Sequence, residues 1–132
     1  MKGVFKTGDK KDFRKVVMKA DTATFESGKV HPVYSTFALA RDAEWTCRLF
    51  VLEIKEADEE GIGTFITVDH HSPALINEIV NFEAVVESIK GNEIICSYQA
   101  MVAERLIASG RQGQKVLKKT KINELFEKLR HG

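Results

Sequence analysis

Two adjacent histidines, His70 and His71, end an apolar, β-branched segment and are the first residues of this chain suited to chemistry. Histidine exchanges protons near neutral pH and is also a common metal ligand. Successive side chains of a regular strand point to opposite faces, so the pair cannot bind one metal ion together. Asp69 shares a face with His71 and adds only a second ligand. The pattern disfavours a metal site and leaves open which histidine faces the core.

Polar residues inside a long apolar segment are the next candidates. Residues 33–54 contain no glycine or proline and predict a helix that is apolar on most of its sides. Ser35 and Thr36 lie at its start, where hydroxyl groups commonly cap backbone N–H groups. Glu44 lies mid-helix, where an unpaired carboxylate would be costly to bury. Three charged residues of the same helix offer an ion pair as the alternative to a functional role: Arg41, Asp42 and Arg48.

The spacing of Thr36 and Glu44 limits what these two residues can do alone. Eight residues of α-helix correspond to about 80° of rotation and ~12 Å of rise. The two side chains therefore lie on neighbouring sides of the helix, two turns apart. A site needs a third group, and the histidine pair is the candidate that the sequence offers.

The remaining segments predict a sheet and a second, short helix. Apolar alternation, β-branched composition and the turn at Gly91-Asn92 indicate the strands. Gly110 and Gly113 indicate a bulge or bend in the last strand. Strands are predicted at residues 13–25, 62–71, 79–87, 94–102 and 105–117, loops at 25–32 and 55–61, and an amphipathic helix at 121–130.

An antiparallel sheet wrapped around one apolar helix fits this order of elements. The predicted class is α+β with a hotdog fold: about five strands around one long apolar helix, plus a short C-terminal helix. Such a sheet leaves an edge strand open, so we expect a homodimer in which two sheets pair edge to edge. The length of 132 residues predicts a single domain over residues 1–132.

Composition argues against several other classes of protein. A net charge of +1 predicts neither nucleic acid nor a membrane surface as a partner. Cys47 and Cys96 lie far apart among apolar neighbours, which predicts buried, reduced thiols and a cytoplasmic location. No apolar segment is long enough to predict a signal peptide or a membrane span.

Two short motifs together carry a family resemblance. The helix segment STFALARDAE contains Thr36 and, eight residues later, Glu44. The strand segment IGTFITVDHHSP places His70 seven residues after Gly63 and three before Pro73. In their order and spacing these motifs resemble the hotdog-fold thioesterases that are similar to fluoroacetyl-CoA thioesterase.

The resemblance implies an acyl-CoA thioesterase that hydrolyses a small acyl-CoA to the free acid and CoA without a cofactor or metal. It implies His70 as the functional histidine, with His71 facing away, and leaves the division of roles with Thr36 and Glu44 open. Basic residues at both chain ends are then candidates to meet the CoA phosphates. The implied substrate-binding residues are Tyr34, Ser35, Gly63 and Thr64. The alternatives are a non-catalytic acyl-CoA-binding protein, a hotdog dehydratase and a purely structural dimer module.

Overall fold

A long helix and an antiparallel sheet make up most of the protein. The computed structural model describes residues 1–25 and 28–132, apart from the side chains at positions 24, 25, 29 and 30. The strands are β1 (Lys10–Val16), β2 (Thr22–Phe25), β3 (Gly28–Tyr34), β4 (Glu59–Ile66), β5 (Asp69–His70), β6 (Ile79–Lys90), β7 (Glu93–Val102) and β8 (Arg105–Lys118). The helices are α1 (Thr36–Ile54) and α2 (Lys119–His131), and a 3₁₀ turn spans Lys19–Asp21.

The main sheet has the strand order β1-β6-β7-β8-β4, and every neighbouring pair is antiparallel. The short strand β5 pairs with β8 beyond the end of β4, while β2 and β3 form a separate two-stranded sheet. The main sheet packs against α1, which confirms the predicted α+β hotdog fold. The edge strand β4 leads toward the histidine pair, so the sheet positions this part of the chain against α1.

Apolar side chains at helical spacing hold α1 against the sheet. Leu39, Ala43, Cys47, Phe50 and Ile54 are each at most 1% exposed and recur every three or four residues. Burying a large apolar side chain contributes roughly 1.5–3 kcal/mol, so this face fixes the helix and its polar residues in place. The sheet supplies the opposing side chains Val80, Phe82, Ile94, Tyr98 and Ile107.

The first predicted strand, residues 13–25, is wrong as a single element. It is divided into β1 and β2 by the 3₁₀ turn. The Met18 N–H donates to the Asp21 carboxylate at 2.9 Å, and the Thr22 hydroxyl donates to the Lys19 carbonyl at 2.7 Å. These local hydrogen bonds replace ladder bonds and turn the chain toward α1.

The predicted loop at residues 25–32 is also incorrect over most of its length. Residues 26 and 27 lie outside the described part of the chain, whereas Gly28–Tyr34 form β3. Val33 and Tyr34 therefore belong to a strand, and the helix begins at Thr36 instead of Val33. Its predicted end at Ile54 is confirmed.

The surroundings of α1 differ from the prediction of a helix enclosed on most sides. Phe37, Trp45 and Leu52 are 68%, 40% and 41% exposed in the single chain. These positions follow each other by eight and seven residues and so lie within about 80° of one another around the helix. The three apolar side chains face outward beside the exposed charged residues Arg41 and Glu44.

The predicted strand at residues 62–71 consists of two strands. Strand β4 begins earlier, at Glu59, and ends at Ile66, and β5 contains only Asp69 and His70. The register with β8 shifts between Gly63 and Phe65, which places the bulge in β4.

The predicted bulge or bend at Gly110 and Gly113 of β8 is not found as a register shift against β7. These glycines instead allow close packing: a Cβ atom would lie 2.0 Å from the Thr67 carbonyl oxygen at Gly110 and 2.6 Å from the Thr64 hydroxyl at Gly113. The other strands and the two-residue turn at Gly91-Asn92 agree with the prediction.

Two further sequence predictions have clear outcomes. Cys47 and Cys96 are buried free thiols, as expected, and a hydrogen bond with Cys96 together with burial raises the pKa of Cys47. The amphipathic helix near the C-terminus is present as α2, although none of its residues is buried in the single chain. Within the described residues, neither helix combines the length and apolar character needed to span a membrane.

Candidate active site

Thr36 and His70 form the centre of the candidate site. The Thr36 hydroxyl oxygen lies 2.9 Å from Nε2 of His70, a hydrogen-bonding distance. Thr36 is the first residue of α1, and His70 lies in β5, which pairs with Ala108 of β8. The N–H of His71 also donates to the Ile107 carbonyl at 2.8 Å, so β5 is held firmly beside the start of the helix.

A cavity of about 440 Å³ opens beside this pair. Its wall is mainly apolar, and its polar side carries imidazole and hydroxyl groups. A larger recess of about 620 Å³ on β1, β6 and β7 has neither a histidine nor a hydroxyl side chain in its lining. The cavity beside Thr36 and His70 combines both groups, which makes it the candidate for acyl chemistry. The apolar lining includes Val33, Leu39, Pro73, Ala74 and Ile107.

Ser35 serves as the N-cap of α1, one of the two roles considered from the sequence. Its hydroxyl accepts a hydrogen bond from the Ala38 N–H at 3.1 Å, and its carbonyl accepts one from Leu39 at 2.9 Å. The cap places the positive end of the helix dipole at Thr36, beside the cavity. Ser35 also lines that cavity.

Glu44 is not on the buried side of α1. It is exposed, and its carboxylate oxygen Oε1 accepts a hydrogen bond from Gln112 at 3.3 Å. No described contact pairs Glu44 with a cation. Pairing among the other charged residues of the helix, which the sequence also allows, is found between Arg41 and Asp42, whereas Arg48 pairs with Glu60. Glu44 also stands apart from the cavity lined by Thr36 and His70.

Gly63 lies directly against Glu44. A Cβ atom at this position would come within 2.6 Å of the Glu44 carboxylate oxygen Oε1. The glycine therefore creates the space that the carboxylate occupies. Within one chain, Thr36 with His70 and Glu44 with Gly63 form two separate groups of residues.

Tyr34 and Thr64, the other predicted substrate-binding residues, are placed differently from each other. Tyr34 lines the cavity, but its hydroxyl donates to the buried carboxylate of Asp42. Burial and this carboxylate raise the pKa of Tyr34 well above its ordinary value. Thr64 is exposed on β4 and donates to Glu93 at 3.5 Å, away from the cavity.

The buried carboxylate of α1 is Asp42, not Glu44. Asp42 is 5% exposed and accepts hydrogen bonds from Arg41 at 3.1 Å in addition to the bond from Tyr34. Arg41 also reaches Asp21 at 3.1 Å, and these contacts join the 3₁₀ turn, β3 and α1. Although burial acts to raise it, hydrogen bonds from Met18 and Arg41 hold the pKa of Asp21 below its ordinary value.

Three histidines line the same cavity, of which the sequence analysis proposed only His70. His71 was expected to face away, yet it borders the cavity, and its Nε2 lies 2.9 Å from the hydroxyl of Ser109. His31 reaches the cavity from β3, a strand that the sequence did not predict. Among the described residues, no cluster of three or more His, Cys, Asp or Glu side chains is placed to hold a metal ion.

Comparison with known proteins agrees with the architecture and gives the class of enzyme. The curled sheet packed against one long helix is that of a hotdog-fold protein, and the matches identify a thioester hydrolase. A profile of the fluoroacetyl-CoA-specific thioesterase family matches residues 17–120, and the chain belongs to this family. A search of curated proteins finds no match to the chain.

Solved structures extend this similarity. A hypothetical protein of Thermus thermophilus described as a thioesterase superfamily member is 34% identical, covers 96% of this chain and 93% of its own, and has a TM-score of 0.91. The fluoroacetyl-CoA thioesterase FlK is 21% identical over 94% of this chain and 96% of its own, with a TM-score of 0.86. A hot-dog-like protein from Thermanaerovibrio acidaminovorans is 20% identical over 97% of this chain and 94% of its own, with a TM-score of 0.87. Variants of FlK were solved with fluoroacetate, with fluoroacetate and CoA, and with acetyl-CoA.

Proposed function

We propose that this thioesterase hydrolyses a small acyl-CoA to the free acid and CoA, with Thr36, Glu44 and His70 as its catalytic residues. The observation that carries the proposal is the 2.9 Å contact between the Thr36 hydroxyl and His70 Nε2, at one side of a largely apolar cavity of about 440 Å³. A hydroxyl beside an imidazole is the arrangement of a nucleophile and its general base. Binding of CoA by the related enzyme supports the same class of substrate.

The geometry supports a two-step reaction. As the Thr36 oxygen attacks the thioester carbon, its proton moves to His70 Nε2, and the carbonyl oxygen becomes an oxyanion near the N-terminus of α1. The carbon–sulfur bond then breaks, and the protonated His70 gives its proton to the CoA sulfur. Water attacks the resulting threonine ester, His70 again takes the proton, and the Thr36–acyl bond breaks to release the acid and restore the hydroxyl.

Glu44 needs a second protomer to join this chemistry. In one chain it lies two helical turns from Thr36, a rise of ~12 Å, and its carboxylate points to Gln112 and Gly63. We therefore propose a homodimer in which Glu44 of one protomer approaches Thr36 and His70 of the other. There, a carboxylate would orient His70 and stabilise its protonated form.

Features of the single chain support this dimer. Strand β4 is the edge of the main sheet, and its outer edge has no neighbour among the described strands. Beside it, Trp45 and Leu52 of α1 and Ile66 of β4 are 40%, 41% and 38% exposed. Pairing of two β4 strands across a two-fold axis would cover this apolar surface and extend the sheet. Buried, free thiols at Cys47 and Cys96 support a reducing, cytoplasmic environment.

Release of free thiol from a panel of acyl-CoA esters tests the proposed function. We expect turnover with compact acyl groups and a decline as the acyl chain outgrows the cavity. Absence of thiol release across the panel, with the esters still raising the melting temperature, would instead identify an acyl-CoA-binding protein. Conversion of hydroxyacyl or enoyl esters without free thiol would identify a dehydratase.

A further inference from the structure

Two buried glutamines connect the core of the sheet to Glu44. The side chains of Gln112 and Gln114 on β8 are only 1% and 2% exposed, although both carry polar amide groups. Gln114 Nε2 donates to Gln112 Oε1 at 3.0 Å, and Gln112 Nε2 donates to Glu44 Oε1 at 3.3 Å. The three side chains thus form one line of hydrogen bonds, which we name the glutamine relay.

Two glycines on β4 make room for the glutamine relay. A Cβ atom at Gly61 would lie 3.1 Å from Gln114 Oε1 and 2.6 Å from the Val51 side chain. One at Gly63 would lie 3.8 Å from Gln112 Nε2 in addition to its close approach to Glu44. Glycine at both positions therefore leaves space for the side chains of the glutamine relay between β4, β8 and α1.

Packing alone does not account for polar side chains at these positions. Strand alternation directs positions 112, 114 and 116 of β8 to the same face, and the third of them is an apolar valine. Apolar residues of similar size would fill the space without the cost of removing amide groups from water. The line of hydrogen bonds from the two buried amides ends at Glu44, whose carboxylate is exposed.

We propose that Gln112 is a positioning residue that holds the Glu44 carboxylate in its reactive orientation, and that Gln114 fixes the amide of Gln112. Because Gln112 Oε1 accepts the hydrogen bond from Gln114, its NH₂ group must point toward Glu44. This arrangement engages Oε1 of Glu44 and leaves Oε2 available for the active site. The proposal rests on the catalytic role of Glu44 given above.

The test measures kcat and KM for acyl-CoA hydrolysis in Gln112→Leu, in Glu44→Gln and in the double variant. We expect Gln112→Leu to lower kcat between about 10-fold and 100-fold with little change in KM, because the misplaced carboxylate no longer meets the reacting groups. In the Glu44→Gln background, under single-turnover conditions with excess enzyme, the same substitution should change the rate less than about twofold. Gln99→Leu, at an exposed glutamine of β7, is the matched control and should retain parental kcat.

Each outcome either supports or overturns the proposal. Parental kcat in Gln112→Leu, or an equally large loss in the Glu44→Gln background, overturns it. If Gln112→Leu fails to fold, Gln114→Met takes its place, because it removes the hydrogen bond that fixes the Gln112 amide without touching Glu44. Unchanged kcat in Gln114→Met would also overturn the proposal. Parental activity in Glu44→Gln alone would refute the catalytic role of Glu44, whereas loss there with no loss in the glutamine variants would refute only the positioning role.

Discussion

Replacing Glu44 by glutamine is expected to lower kcat for acyl-CoA hydrolysis by about 10³-fold or more while leaving the fold intact. The substitution keeps the shape of the side chain and removes the negative charge that would orient and stabilise protonated His70. Glu44 is exposed, has no ion pair among the described contacts and accepts one long hydrogen bond of 3.3 Å, so stability has little to lose. Thiol release and thermal unfolding, measured side by side, check both parts of this expectation.

A second glutamate of the same helix provides the matched control. Glu53 is exposed on α1 and forms an ion pair with Lys11, away from the candidate site. Glu53→Gln removes the same charge, yet it should retain parental kcat and change the melting temperature by no more than about 2 °C. Equal losses in both variants would mean that Glu44 acts only through the general charge of the helix.

Replacing His70 by alanine is the second change with a large expected effect. It removes the base that contacts the Thr36 hydroxyl at 2.9 Å, and kcat should fall by about 10²- to 10⁴-fold. Because His70 is exposed, we expect the variant to lose little stability. Steady-state kinetics on the best acyl-CoA of the panel, with added imidazole as a test of chemical rescue, measures the effect.

The neighbouring histidine supplies a stringent control. His71 borders the same cavity, but its imidazole contacts Ser109 instead of the candidate nucleophile. His71→Ala should therefore reduce kcat less than tenfold, about the cost of a change in cavity shape. If His71→Ala were as damaging as His70→Ala, the assignment of the base to His70 would be incorrect.

The sequence predicted the parts of the fold that depend on periodicity and turn chemistry. The apolar segment without glycine or proline that ends at Ile54 forms α1, and Gly91-Asn92 form the turn between β6 and β7. The resemblance of two motifs to a known family implies Thr36 and His70 as site residues, and the structure brings their side chains together. Their proximity depends on β5 pairing with β8, which no local pattern revealed.

The errors arose where tertiary contacts override local pattern. The β2–β3 sheet is not predicted, because Gly28 and Pro32 indicate a loop there and the two strands pair irregularly, and His31 is missed with it. The sequence indicates Glu44 as the carboxylate that α1 buries, whereas Asp42, two residues earlier, faces inward to meet Tyr34. Two residues correspond to about 200° around a helix, so an error of this size exchanges the inside for the outside.

The sequence shows the two glutamines of the glutamine relay but not the contacts that they make. Gln112 and Gln114 alternate with Gly113 in β8, which places two amides on one face of a predicted strand. Nothing local shows that this face is the buried one or that Gly61 and Gly63 of β4 lie opposite. That knowledge requires the register between strands that are distant in sequence.

Mixing two inactive variants tests the central claim, a site shared between protomers, most directly. If Glu44 of one protomer serves Thr36 and His70 of the other, dimers of Glu44→Gln with His70→Ala contain one intact site of two. Unfolding and refolding an equal mixture should then restore about a quarter of parental activity, since half of the dimers are mixed. Activity that stays at the level of the separate variants, in a mixture shown to contain mixed dimers, would contradict the shared site.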